Sequence, residues 1–148
     1  MNFNETRGFA QFLEASGYKP LDIKYLLNKE LKEGEDICLI GYPLFSDLGG
    51  LKPELSGYHL PIYSFGKVAM NPKDFDYLIG NIFNYGGFSG GPVIFNNKVI
   101  GIVSAQVVDK ISDEIKTFIR YPMTYIKKTR VILQLFEKIR TNEEKLAP

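Results

Sequence analysis

The sequence predicts a mainly β fold that ends in an α-helix. Phe and Tyr supply all of the aromatic residues, which make up 14% of the chain, and such residues favour strands. Short apolar runs separated by Gly, Pro and Asn fill the middle of the chain, whereas apolar residues near its end follow helical spacing. The chain has 148 residues and one cysteine, enough for one domain with a core but not for an internal disulfide.

The first strands lie on either side of a long loop. Residues 37–40 form a short apolar run that Pro43 helps to stop, and residues 44–61 hold several Gly and Pro residues typical of a loop. Residues 63–70 and 77–83 are the next two predicted strands.

Two hairpins are predicted next. The turn pair Asn96-Asn97 separates the apolar runs 93–95 and 99–103, and a two-residue Asn turn between such runs is typical of a β-hairpin. Residues 106–108 and 117–120 then flank the polar residues 112–114 and form the last predicted hairpin.

The end of the chain predicts a helix. Pro122 is expected to end the last strand, and a helix is expected over residues 124–140, where Ile132, Leu135, Phe136 and Ile139 fall on one face. The chain is therefore divided into an N-terminal remnant or linker (1–34), a β domain (35–121), a C-terminal helix (122–140) and a tail (141–148).

The N-terminal segment has two interpretations, as two short helices or as a strand, and apolar spacing favours helices. The apolar spacing of Phe9, Phe12 and Leu13, and that of residues 23–31, predicts two short helices. Asp22 would cap the second helix and Gly34 would end it.

The chemistry of the chain is concentrated around Ser89. The stretch Gly86-Gly87-Phe88-Ser89-Gly90-Gly91 places four glycines around one serine, which predicts a tight turn that presents the hydroxyl beside free backbone N–H groups. A hydroxyl nucleophile next to such donors is what acyl transfer requires. The G-x-S-x-G elbow of α/β-hydrolases is excluded, because it must lead into a helix and here a strand follows.

Residues 87–92, Gly-x-Ser-Gly-Gly-Pro, followed by Gly101-Ile-Val-Ser104, resemble the second β-barrel of trypsin-like serine peptidases, particularly bacterial ones. The resemblance implies one six-stranded antiparallel barrel with a C-terminal helix packed on it. It also implies roles for individual residues: Ser89 as nucleophile, the N–H groups of Gly87 and Ser89 as oxyanion hole, and Ser104, Ala105 and Gln106 as substrate-binding residues.

The resemblance leaves the catalytic base unaccounted for. The one histidine, His59, lies in the 44–61 loop and lacks the sequence context of the family's histidine. An alignment of residues 7–14 with the strand that carries the family's aspartate places Gly8 at that position. We therefore expect a serine peptidase half that is inactive alone. The alternatives are a non-catalytic module that binds peptides or proteins by strand addition to the edge of an open barrel half, or a relic without function.

Composition limits the partners. A net charge of +1 argues against nucleic acid, and no apolar run is long enough to cross a membrane. No signal peptide is visible, so a cytoplasmic location is expected. No metal-ligand spacing appears, so neither metal nor cofactor is expected, and Cys38 is interpreted as a buried structural thiol. A single barrel would expose an apolar face, which predicts a protein partner or a homodimer.

Overall fold

The computed structural model describes residues 8, 11–43, 61–112 and 117–146. Beyond the N-terminal segment, its elements are six strands and a C-terminal helix: β1 (Asp36–Gly41), β2 (Ile62–Met70), β3 (Tyr77–Asn81), β4 (Pro92–Phe95), β5 (Lys98–Ser112), β6 (Thr117–Lys128) and the helix (Thr129–Leu146). The strands are antiparallel in the order β1-β2-β3-β6-β5-β4, and β4 pairs with β1. This closure confirms the mainly β fold with a six-stranded barrel and a C-terminal helix.

The barrel interior is filled by alternate residues of the strands. In β1 the side chains of Ile37 and Leu39 are buried, while those of Cys38 and Ile40, which alternate with them, are partly exposed, the period of two that a strand requires. The same interior receives at least one buried side chain from each of the other five strands: Val68, Leu78, Val93, Val103 and Ile126. Because β1 and β4 close the sheet, the open barrel edge expected for strand addition does not exist between these strands.

The predicted Asn turn is confirmed. Asn96 and Asn97 have φ angles of +47° and +59°, the left-handed values that both central residues of a type I′ hairpin turn adopt. They connect β4 to β5.

The second predicted hairpin is also present, and it extends beyond the barrel. β4 pairs with β5 up to Ile102, and β3 pairs with β6 from Met123 onward. Residues 104–112 and 117–122 therefore pair chiefly with each other, and we call this two-stranded extension the ribbon. The polar turn at 113–114 lies outside the described residues.

The predicted boundary between the last strand and the helix is wrong. β6 continues through Pro122 to Lys128, and the helix begins at Thr129. Pro122 lies beyond the last residue that pairs with β3, so its missing N–H costs no hydrogen bond of the barrel. Thr124 and Ile126 are buried in the barrel, and this burial keeps the segment in the strand.

The N-terminal segment is only partly helical. Residue 8 and residues 11–15 are helical, as the apolar spacing predicts, so the strand alignment is wrong for the described residues 8 and 11–14; residues 7, 9 and 10 lie outside the described part of the chain. The second predicted helix is reduced to a 3-10 turn at Ile23–Tyr25, which Asp22 caps by accepting the Lys24 N–H at 2.9 Å. The Lys24 ammonium, 2.8 Å from the Asp22 carboxylate, lowers the pKa of Asp22, and the hydrogen bond from the Lys24 N–H lowers it further.

The residues after this turn run along the barrel because they bond to it. The Leu27 N–H donates to the Val99 carbonyl at 2.7 Å, and the Thr129 hydroxyl donates to the Leu27 carbonyl at 2.6 Å. Lys128, whose side chain is 7% exposed, contacts Glu30 at 3.1 Å. These contacts replace the internal hydrogen bonds of the predicted helix and hold the segment on the barrel.

Cys38 lies on β1 and is half-buried rather than fully buried. Desolvation raises the pKa of its thiol, which leaves less thiolate at neutral pH and agrees with a structural thiol. In the parts of the chain that the structure describes, no helix combines the length and the apolar character needed to cross a membrane.

Candidate active site

Ser89 lies in the second of two consecutive tight turns, which share Phe88. In the first, the Phe88 N–H donates to the Tyr85 carbonyl at 3.1 Å, and Gly87 has a φ of +94°. In the second, the Gly91 N–H donates to the Phe88 carbonyl at 2.8 Å, and Gly90 has a φ of +81°. Each positive φ falls at the third turn position, where a type II turn requires it. The glycines thus explain why the chain can fold this way; residues 85–91 are called the serine turn below.

The serine turn is attached to the barrel on two sides. On one side the Gly90 N–H donates to the Val103 carbonyl, and the Val103 N–H donates to the Gly91 carbonyl, both at 2.9 Å. On the other side the Tyr42 N–H donates to the Gly87 carbonyl at 3.1 Å. The position of the turn is therefore fixed by β5 and by the residue that follows β1.

Phe88 holds the turn from inside. Its side chain is 0% exposed, and its ring lies so close to Gly41 that a Cβ there would be 2.6 Å from the ring carbon Cγ. Its neighbour Ser89 is exposed. Sequence reasoning missed this role, although a large apolar residue between glycines in an otherwise exposed turn could have indicated it.

Four backbone donors of the serine turn bond to none of the described residues. The N–H groups of Phe88, Gly90 and Gly91 donate to protein carbonyls, whereas those of Tyr85, Gly86, Gly87 and Ser89 donate to no described residue. The Ser89 hydroxyl likewise makes no hydrogen bond to the described part of the chain. These donors include the N–H groups of Gly87 and Ser89, the two that the family resemblance implies as an oxyanion hole.

The predicted substrate-binding residues lie on β5, directly after Val103. Ser104 and Ala105 are exposed, and Ser104 is the extra residue of a β-bulge between Val103 and Ala105. Gln106 is differently placed, because its amide Nε2 donates to the Tyr121 carbonyl of β6 at 3.1 Å.

The Tyr121 hydroxyl in turn donates to Asp109 at 3.0 Å, which raises the pKa of Tyr121. Ser104 and Ala105 thus come directly after Val103, the residue that bonds to the serine turn, whereas the Gln106 amide is hydrogen-bonded within the ribbon.

No base is in contact with the nucleophile within the described residues. His59 lies outside them, and no described side chain hydrogen-bonds to Ser89. Across the same residues, no group of three or more His, Cys, Asp or Glu side chains could hold a metal ion.

An open apolar groove of about 600 Å³ adjoins the serine turn. The N-terminal segment contributes Leu21 and Ile23, the barrel Pro92 and Ile102, and the C-terminal helix Phe136. Gly90, the residue after Ser89, lines it as well. On the same helix Leu135 and Ile139 are 57% and 41% exposed, so the apolar stripe of the helix is not covered by the barrel.

Comparison with protein families and with curated proteins gives no match. Among solved structures, the chain is similar to Rv3671c from M. tuberculosis H37Rv, a trypsin-like serine protease-type structure seen there as a serine-to-alanine mutant in an inactive form. The TM-score is 0.51 and the identity 18%, over 78% of this chain and 52% of that one. The chain therefore spans about half of its structural neighbour, and the likeness establishes a protease-like barrel fold.

Proposed function

We propose that this chain supplies the serine-bearing half of a trypsin-like endopeptidase site. Ser89 is the nucleophile, and the N–H groups of Gly87 and Ser89 stabilise the oxyanion that forms when it attacks a peptide carbonyl. The observation that carries this proposal is the exposed Ser89 hydroxyl beside two N–H donors that bond to no described residue, on a turn fixed at both ends. An extended peptide substrate would lie along β5 at Ser104 and Ala105.

The base comes from another polypeptide or from a further segment of a longer chain. Loss of the histidine costs on the order of 10⁶-fold in kcat in subtilisin, and an oxyanion hole without a triad retains roughly 10³–10⁴-fold over water. The chain alone is therefore a poor peptidase. The apolar groove reaches Gly90, so a polypeptide seated in it would lie beside Ser89.

Labelling with a fluorophosphonate probe tests the nucleophile, with free imidazole added as a substitute base. We expect little labelling of the chain alone and a labelling rate that rises with imidazole concentration, followed by intact mass. Ser89→Ala should abolish the labelling. The matched control Ser104→Ala, which also removes an exposed hydroxyl, should leave labelling at Ser89 in place.

Two results would oppose the proposal in different ways. Absence of labelling at Ser89 at every imidazole concentration would show that this serine is not a nucleophile. Stoichiometric labelling without imidazole would show that the base lies within the chain or its self-assembly, and His59 would be the first residue to replace.

The second candidate is a module that binds peptides or proteins without cleaving them. It is favoured by the ribbon, where β5 beyond Ile102 has no described strand on the side opposite β6 and so can accept an added strand. Ser89→Ala distinguishes the two functions, because a binding module retains its affinity in this variant whereas a peptidase loses turnover.

The groove and the exposed residues of the helix form an apolar surface. We propose that a protein partner or a second copy of the chain covers this surface. We also propose that the protein acts in the cytoplasm. We expect light scattering to give a mass above the 16.8 kDa of one chain, or the isolated chain to bind an apolar dye. Phe136→Glu should reduce either effect. Phe65→Glu on β2, at a side chain 77% exposed, is the matched control and should change little. A 16.8 kDa monomer that binds no dye would contradict the proposal.

A further inference from the structure

We infer that residues 11–18, here called the arm, pack into the apolar groove of a second copy of the chain. This inference rests on the proposal that a partner covers the groove, and it names that partner and the segment that the partner contributes. Its basis is the contrast between the arm, which exposes its apolar side chains, and the groove, which is apolar and open.

The arm is a helical segment with its own C-terminal cap. The Ser16 N–H donates to the Phe12 carbonyl, and the Tyr18 N–H donates to the Leu13 carbonyl, both at 3.0 Å. The bond from Tyr18, together with a φ of +85° at Gly17, is the Schellman motif that ends many helices. The position of Tyr18 relative to Phe12 is therefore set within the arm itself.

The arm exposes two aromatic side chains. Phe12 is 65% and Tyr18 is 66% exposed, and Leu13 is the one residue of the arm that is half-buried rather than exposed. In the described part of the chain, every hydrogen bond of the arm is internal, whereas residues 24–31 bond to the barrel at several points. Exposed apolar side chains on a segment that is not bonded to its own barrel indicate a surface that another molecule covers.

The connection between the arm and its own groove is short and stiff. Lys19 and Pro20 alone separate Tyr18 from Leu21, the first residue that lines the groove. Pro20 fixes its own φ and restricts Lys19 to extended conformations. Two such residues do not let the chain reverse, so the arm is directed away from its own groove. Each copy offers one arm and one groove, and two copies related by a two-fold axis can therefore exchange arms in a closed dimer.

The area of this contact fits a weak dimer. Burying the exposed two-thirds of the four aromatic side chains in two arms removes about 400–650 Å² from solvent. The groove surfaces that they cover lose a similar area, which brings the total to roughly 800–1,300 Å². Specific interfaces begin near about 1,000 Å². We therefore expect a dimer that dissociates on dilution.

Sedimentation equilibrium of the parent chain, from about 10 μM to about 1 mM, tests the inference. The mass should rise with concentration from 16.8 kDa toward twice that value. The double variant Phe12→Ser/Tyr18→Ser should stay a monomer, and Phe65→Ser, at an exposed aromatic residue of β2, should behave as the parent chain does. A parent chain that is a monomer throughout, or a dimer that the double variant retains, would overturn the inference.

Mixing two variants shows whether the arm enters the groove of another copy. The ¹⁵N-labelled Phe12→Ser/Tyr18→Ser chain, whose groove is intact, is titrated with unlabelled Phe136→Glu chain, whose arm is intact. The amide resonances of groove residues such as Leu26 and Ile102 should shift, whereas unlabelled Phe12→Ser/Tyr18→Ser chain should shift none of them. Absence of shifts in the first titration would count against arm exchange.

These outcomes separate the inference from the proposals on which it rests. A dimer that Phe136→Glu dissociates and the arm variant retains would leave the groove as the interface and exclude the arm as its occupant. Fluorophosphonate labelling of Ser89 with imidazole reads the nucleophile independently of both, so failure of the arm inference is distinguishable from failure of the peptidase proposal.

Discussion

Replacement of Phe88 by alanine is expected to lower the free energy of unfolding by about 3–5 kcal/mol, the usual cost of removing a buried phenylalanine. The ring is fully buried between the barrel interior and the serine turn, and Gly41 leaves it the space that a side chain on β1 would occupy. Since a domain of this kind has a total stability of about 5–15 kcal/mol, the loss would be a large fraction of it. Urea denaturation followed by circular dichroism measures the change.

The control is Phe65→Ala on β2, where the side chain is 77% exposed and the expected change is within about 0.5 kcal/mol. Phe88→Ala should also slow the imidazole-dependent labelling of Ser89, because the ring fixes the turn that carries the hydroxyl. A stability loss below about 1 kcal/mol would contradict the burial of this side chain.

The parts of the fold that the sequence predicted well are those decided by local chemistry. The pair Asn96-Asn97 has residues that tolerate positive φ, and so the hairpin between β4 and β5 follows from these two residues alone. The glycines at 87 and 90 occupy the positive-φ positions of the serine turn for the same reason. The exposure of Ser89 follows from this local geometry.

The parts that could not be predicted are decided by contacts between residues distant in sequence. The helical spacing of residues 23–31 is overruled by hydrogen bonds from Leu27 to Val99 and from Thr129 to Leu27. Pro122 is tolerated inside β6 because β3 ends before reaching it, a fact of sheet geometry that no local pattern contains.

The candidate site likewise combines features that the local sequence decides with features that depend on contacts between distant residues. The serine and its glycines are visible in the sequence, and their geometry follows from turn chemistry. Gln106 is predicted to bind substrate from the family resemblance, and its amide donates to the Tyr121 carbonyl next to a bulge between Gln106 and Val108, a contact that the sequence did not indicate. Bulge positions depend on the register of both strands, which the sequence of one strand does not specify.

Replacement of Gly87 by alanine is the second substitution with a large expected effect, about 2–5 kcal/mol of lost stability. Two costs add: a φ of +94° is strained for any residue with a Cβ, and that Cβ would lie 2.2 Å from the Tyr42 carbonyl oxygen. The turn would have to move away from the end of β1, which would displace the Gly87 N–H. Urea denaturation and imidazole-dependent labelling of Ser89 measure the two consequences.

Gly90→Ala is the matched control, because Gly90 has a similar φ of +81° but no atom within 4 Å of an added Cβ. It should cost about 1–2 kcal/mol, the price of the left-handed conformation alone. The difference between the two variants therefore measures the steric cost of placing a Cβ against the Tyr42 carbonyl. If both variants lose the same stability and label at the same rate, the close approach of the Tyr42 carbonyl does not position the Gly87 N–H, and the hydrogen bonds of the turn and the buried Phe88 ring are sufficient to position it.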